Sequence, residues 1–142
     1  MKAIGDFLTH PAVVRVCQIA IGLLFAIAAM SKLGDLRAFA EEIHNFRIVP
    51  IATENLLAMT LPWIELVAAV ALILDIRARS GGLLITAMLV VFTVAIISAV
   101  ARDLDIECGC FGTTDASRVG THKILENLGM LVLAVMASLR RR

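Results

Sequence analysis

Charge is scarce in this sequence. Only 18% of its 142 residues are Asp, Glu, Lys or Arg, against about a quarter in ordinary soluble domains. The thirteen basic and twelve acidic side chains nearly cancel to a formal charge of +1, so bulk electrostatics give no case for a nucleic-acid partner. Cysteine is scarce as well. Cys17, Cys108 and Cys110 are too few and too clustered to staple a disulfide scaffold. No internal repeat or low-complexity segment stands out. What the chain has in excess is apolar surface: 60% hydrophobic residues and a mean hydropathy of +0.92. A soluble domain of this size has too little interior to bury that surface. The bilayer is its natural solvent.

Crossing about 30 Å of hydrocarbon takes about 20 apolar residues at 1.5 Å each. Four runs approach that length, at residues 12–33, 56–74, 81–101 and 124–139, the last extending back to Thr121. The expected fold is therefore all-α, a single four-span membrane domain. The first run is longer than the apolar core of a signal peptide and is read as an uncleaved span. Arg15 and Lys32 flank it, where both are placed to snorkel to the headgroups. Pro62 is expected to kink or locally open the second span. Gly22 and Ala26 form a small-xxx-small pair, a weak signal for close packing.

Between the first two spans, Leu36, Phe39, Ala40, Ile43 and Phe46 recur at helical spacing, with Arg37, Glu41, Glu42, Asn45 and Arg47 on the other faces. This predicts an amphipathic interfacial helix that Pro50 ends. Basic residues set orientation. The tight turn with Arg77 and Arg79 and the terminal Arg140, Arg141 and Arg142 lie on one side. The other side dilutes its bases with Glu41, Glu42, Asp103, Asp105, Glu107 and Asp115. The termini are therefore expected in the cytoplasm of a bacterial cell, and the last loop in the periplasm.

That loop reads RDLDIECGCFGTTDASRVGTHK. A Cys108–Cys110 disulfide closes a very small ring, which Gly109 is best able to allow. Strain makes such a bond easier to reduce than a structural one. The pair is thus the candidate catalytic group of a thiol–disulfide oxidoreductase. Arg118, His122, Lys123 and the start of the fourth span favour a thiolate, whereas Asp103, Asp105, Glu107 and Asp115 oppose it. His122 is the nearest candidate to move a proton to or from the thiols, though a histidine solvating a helix start reads the same way. Two other readings stay open. Two close thiolates also suit Cu(I) or Hg(II), making Cys108 and Cys110 the metal ligands of a binding or transport protein. In the third, the chain is a structural subunit of a larger membrane complex and the pair is incidental. Cys17 lies near the opposite face and reads as a packed, inert thiol.

Glu65 falls about halfway along the second span, where a carboxylate is costly. Either it is protonated or pairs with a basic group inside the bundle and marks a polar pocket for a proton or a quinone headgroup, or the span starts later and Trp63 and Glu65 sit at the interface. Lys32 either reaches the cysteine loop or a lipid phosphate, or simply snorkels. Glu126 and Asn127 open the fourth span below the loop, where they line the same pocket or bond between helices.

Four stretches stand in order across nearly the whole chain: SKLGDLRAF at 31–39, FRIVP at 46–50, LPWIEL at 61–66 and CGCFG at 108–112. Together they resemble the MauE/DoxX-like family of redox-associated membrane proteins, with CGCFG pointing to its MauE-like branch. The resemblance implies a four-helix membrane bundle that takes part in thiol–disulfide chemistry. It implies a periplasmic or extracellular thioredoxin-like protein, or a disulfide-containing substrate, as partner. It marks Lys32, Glu65, Cys108 and Cys110 as the positions of interest. Quinone coupling in the wider group makes a quinone the expected cofactor, with Lys32, Glu65 and Asn127 as its candidate contacts. Fold likeness alone does not transfer the methylamine-related role, and homo- or hetero-oligomers are both compatible with the sequence.

Overall fold

A computed structural model describes residues 10–106 and 120–138 of the chain. Most of these residues are helical, with no strand among them. The elements are α1 (Pro11–Gly34), α2 (Leu36–Phe46), α3 (Ile51–Ile73), α4 (Ala78–Ala101) and α5 (Thr121–Ser138). In lipid every backbone polar group needs an internal partner, and helices supply it. Their ends carry local signals. His10 accepts a hydrogen bond from the Ala12 amide, with Pro11 at the first helical position. The Asp35 carboxylate caps α2 by accepting from Ala38. Arg47, in the left-handed region at φ 50°, ends α2. The turn between α3 and α4 carries two further left-handed residues, Asp75 and Arg77.

Helices α1, α3 and α4 are long and apolar enough to cross a membrane. Helix α5 is shorter, and His122, Lys123, Glu126 and Asn127 make its first two turns polar. It nonetheless closes a ring, since α1 packs on α3, α3 on α4, α4 on α5 and α5 on α1. Neighbours run antiparallel. Gly22 of α1 lies against Ala69 and Ile73 of α3, whereas Lys32 reaches Glu65. At one end of α4, Gly82 meets Ser138 of α5; at the other, Ile96 and Ala99 cluster with Ile124. The second span begins at Ile51, several residues before its expected start, because the polar residues Thr53, Glu54 and Asn55 are helical too. Helix α3 continues through Pro62, which is itself buried. Neighbouring helices cover the site where the missing N–H would be costly.

One end of the bundle is packed nearly backbone to backbone. A Cβ on Gly22 would meet Ile73 at 2.8 Å, and one on Gly82 would meet the Ser138 backbone at 3.2 Å. Small residues permit that approach. Arg15 does not reach outward to the headgroups as expected. Its guanidinium donates to the carbonyls of Leu72 and Ile73, at 3.1 and 2.7 Å. Those carbonyls lie at the C-terminus of α3, where the Leu72 oxygen also accepts from the Asp75 amide and where a cation is favoured by the helix dipole. Fully buried Gln18 donates to the Ala137 carbonyl and ties α1 to α5.

The other end is different. Lys32, in the last turn of α1, pairs with Glu65 deep within α3, so the first turns of α3 run past the end of α1. Helix α2 folds back against those turns. Phe39 and Phe46 turn its apolar face into the protein, at 2% and 8% exposure. The amphipathic pattern is thus used largely against α3 and α4 rather than against lipid alone. Arg102, at the end of α4, donates to the carbonyls of Phe46 and Arg47 and anchors the last turn of α2.

Candidate functional site

Six buried positions of α3 form one stripe: Glu54, Ala58, Pro62, Glu65, Ala69 and Leu72. Their spacing of three and four residues keeps them on one face. Both carboxylates of α3 therefore point into the protein. Lys32 continues the buried stripe of α1 through Ile21, Phe25 and Ala28. The two stripes meet where the Lys32 ammonium donates to both oxygens of Glu65, at 2.7 and 2.8 Å. The residues are 2% and 3% exposed. This decides two open points. Glu65 is interior, not interfacial, and Lys32 is drawn inward instead of snorkelling.

Aromatic rings complete the enclosure of the ammonium. The centroids of Phe39 from α2 and Phe92 from α4 lie 5.1 and 5.4 Å from it. Both are within cation–π range. Asn127 of α5 joins Lys32 and Glu65 around a small cavity whose apolar walls include Phe25, Met88, Phe92 and Met130. The Asn127 amide nitrogen is buried, with no hydrogen-bond partner among the described residues. The cavity measures about 20 Å³. One water needs about 10–15 Å³ of such space and two or more polar partners, and both conditions are met. A quinone ring does not fit. The expected quinone contacts at Lys32, Glu65 and Asn127 form a water-sized site, and no step is routed through a quinone there.

Buried charge in hydrocarbon is expensive, several kcal/mol per ion even after relaxation. Replacing such a pair by apolar side chains is often neutral or stabilising. A membrane protein that keeps one has a functional-site candidate by default. Chemically, the arrangement places a carboxylate, an ammonium and an amide around a space with room for one water beside α5.

Cys108 and Cys110 lie outside the described residues. The segment that carries them leaves after Ile106 and returns at Gly120. Both anchors belong to the end of the bundle that holds Lys32, Glu65 and Asn127, since Asn127 is in the second turn of α5. His122 is 83% exposed, and its Nδ1 lies 3.1 Å from the carboxylate of Glu126, one turn further on. Glu126 also accepts from buried Lys123 at 2.9 Å. One carboxylate thus engages both basic side chains at the start of α5 and offsets the support they would lend a thiolate. Cys17 is free and buried, as the sequence suggested. Among the described residues, no group of three or more His, Cys, Asp or Glu is placed to hold a metal ion.

Comparison with known proteins settles the family. The sequence model described as "Methylamine utilisation protein MauE" matches residues 10–140. The chain belongs to the MauE family. It is 34% identical over 132 residues to the methylamine utilization protein MauE of Paracoccus denitrificans, covering 92% of this chain and 71% of that one. It is 33% identical over 128 residues to MauE of Methylorubrum extorquens, covering 89% and 69%. MauE of Methylophilus methylotrophus is 30% identical over 127 residues, covering 88% and 67%. No solved structure matches. Family membership agrees with the apolar helices in making this a membrane protein.

Sequence reasoning missed three contributors. Phe39 and Phe92 were visible only as apolar residues, because a ring facing a cation has no signature in one dimension. The third is a second acid–base pair, His44 of α2 with Glu54 of α3. The His44 Nδ1 stands 3.1 Å from each carboxylate oxygen. Its signal was available: Glu54 precedes Glu65 by three helical turns on the same face.

Proposed function

We propose that this chain is a membrane thiol–disulfide redox protein working through Cys108 and Cys110. The observation that carries the reading is the Cys-Gly-Cys motif in the segment between α4 and α5, at the bundle end that also keeps a buried Lys32–Glu65 pair. MauE membership supports it through the methylamine utilization named for its relatives. The protein is a four-span bundle, α5 being the fourth span, in the bacterial inner membrane. Its termini are cytoplasmic and the cysteine segment periplasmic. With Lys32 and Lys123 buried, fewer of the bases on the cysteine side reach the headgroups, which strengthens the orientation drawn from Arg77, Arg79 and the C-terminal arginines.

The partner is a periplasmic thioredoxin-like or substrate protein carrying two thiols. One partner thiolate attacks a sulfur of the Cys108–Cys110 disulfide, and the other sulfur leaves as a thiolate. The second partner thiol resolves the mixed disulfide. The partner ends oxidised and the pair ends as a dithiol, with two electrons transferred. Reoxidation of the pair needs a two-electron acceptor, for which the family resemblance offers a quinone that takes up the two electrons and two protons, and Glu65, with His122 at the surface, serves the protons.

The test is capture of the mixed disulfide. Cys108→Ser or Cys110→Ser, expressed in cells and quenched with acid, should hold a partner in a band that reductant dissolves. If neither variant holds one and the double variant matches wild type in partner oxidation, the reading fails.

A further inference from the structure

We propose that the groove between α2 and α3 is a headgroup site for a glycerophospholipid with a primary ammonium, the phosphatidylethanolamine class. The proposal stands on the groove itself and is independent of the redox reading above. The groove is open and measures about 590 Å³, inside the range of roughly 300–1,000 Å³ usual for small-molecule sites.

The polar lining calls for a ligand that donates hydrogen bonds. Glu54 is 8% exposed, and both of its carboxylate oxygens stand 3.1 Å from Nδ1 of His44. Those contacts place the proton of a neutral imidazole on Nδ1, so Nε2 is the ring's acceptor. Glu41 brings a second carboxylate to the groove, and the side-chain oxygen of Asn55 accepts as well. The three N–H bonds of a primary ammonium suit this set. A quaternary ammonium has none to offer, and an anionic head meets two carboxylates. The groove also has a place for the phosphate. Arg37 is 90% exposed and only 3.7 Å from Glu41, one turn further along α2. That separation is too long for a good hydrogen bond, so the guanidinium fork retains donors for phosphate oxygens. Cation and carboxylates stand side by side, as phosphate and ammonium do in the zwitterionic head.

A soluble amine would satisfy the same acceptors, and the apolar surroundings favour the lipid. Met59 belongs both to the groove wall and to a strip of α3 that includes Leu56 and Trp63. Leu56, Met59 and Trp63 are 62%, 59% and 57% exposed, and their spacing keeps them on one face. Acyl chains leaving the groove have that strip to lie on, and tryptophan is a residue that favours the headgroup boundary. A head bound here bridges α2 to α3 beside the His44–Glu54 contact. It thereby steadies the helix whose Phe39 covers the Lys32 ammonium.

The experiment uses the full chain in phosphatidylcholine nanodiscs with a trace of phosphatidylethanolamine carrying a diazirine on one acyl chain. After irradiation the label is mapped by peptide mass spectrometry. It should concentrate at Leu56, Met59 and Trp63. Unlabelled phosphatidylethanolamine should displace it about fivefold better than phosphatidylcholine or phosphatidylglycerol, the scale of one or two exposed charge contacts. His44→Ala and Glu41→Gln should each erode that preference, and Glu41→Lys should turn it toward phosphatidylglycerol. Both positions are surface-exposed, and an unchanged thermal midpoint in detergent checks that the variants are folded. Equal displacement by the three lipids, label spread evenly over the lipid-facing helices, or a preference untouched by Glu41→Lys would each overturn the proposal. Displacement by free ethanolamine at the same concentration would overturn it in favour of a soluble amine. The same map is expected in the Cys108→Ser/Cys110→Ser double variant, so failure of the redox reading and failure of this one are read separately.

Discussion

The two ends of this bundle solve opposite problems. At one, Gly22, Ala69, Gly81 and Gly82 bring helices into near backbone contact, and Arg15 and Gln18 donate to the carbonyls of Leu72, Ile73 and Ala137. At the other, two carboxylates, two lysines and an unpartnered amide are buried, with a water-sized cavity inside and an open groove beside it. Dispersion and close packing hold the first end. The second retains polar groups that packing alone would discard. The difference teaches that close packing and buried polar chemistry are separated along the membrane normal. Mutations at the two ends should therefore fail in different ways.

The largest effect is expected from breaking the buried pair on one side only. Lys32→Met leaves the Glu65 carboxylate buried without its partner and should cost about 3–5 kcal/mol. The double variant Lys32→Met/Glu65→Leu should return to within about 1 kcal/mol of wild type, because both desolvation costs disappear together. Unfolding in mixed micelles, run as a double-mutant cycle, measures both. If the double variant is as unstable as the single, the pair is a packing element and the contrast between the ends collapses.

At the close-packed end, Gly82→Leu should cost about 1–3 kcal/mol by forcing α4 from Ser138. The thermal midpoint in detergent should fall while thiol exchange by the surviving folded protein is unchanged. A specific loss of exchange at full stability would break the separation from that side.

A smaller effect sharpens the cavity. Asn127→Leu removes a buried amide nitrogen that lacks a partner among the described residues, so stability should hold or rise by up to about 1 kcal/mol. Reoxidation of the cysteine pair should slow if the cavity water relays protons. Equal reoxidation rates in the variant and wild type would reduce Asn127 to a spacer.

Much of this architecture was legible in the sequence, because lipid imposes length and hydropathy on every span. The runs at 12–33 and 81–101 became α1 and α4 with little change, since uninterrupted apolar stretches have one economical conformation in a bilayer. The start of α3 was misplaced because Glu54 and Asn55 read as loop residues until α2 supplies a surface for them to face. Lys32 was misjudged for a related reason. A lysine near a helix end reads as snorkelling unless its partner is known, and Glu65 lies 33 positions away. The phase was there, since Lys32 follows Phe25 and Ala28 on the buried stripe. Phase says which way a side chain points but not what it meets. Cys108 and Cys110 were identified by chemistry alone and lie beyond the described residues, so their part in the account rests on reactivity.

That reactivity can be read directly in living cells. Intact cells would be treated with a membrane-impermeant maleimide polymer, with and without a brief pulse of reductant, and the chain resolved by mass. The account predicts no adduct before the pulse, two adducts after it, and none again once the reductant is washed out and the cells respire. Buried Cys17 stays silent throughout. Two adducts on untreated cells, or none from the outside even after reduction, would contradict a periplasmic pair that cycles between dithiol and disulfide.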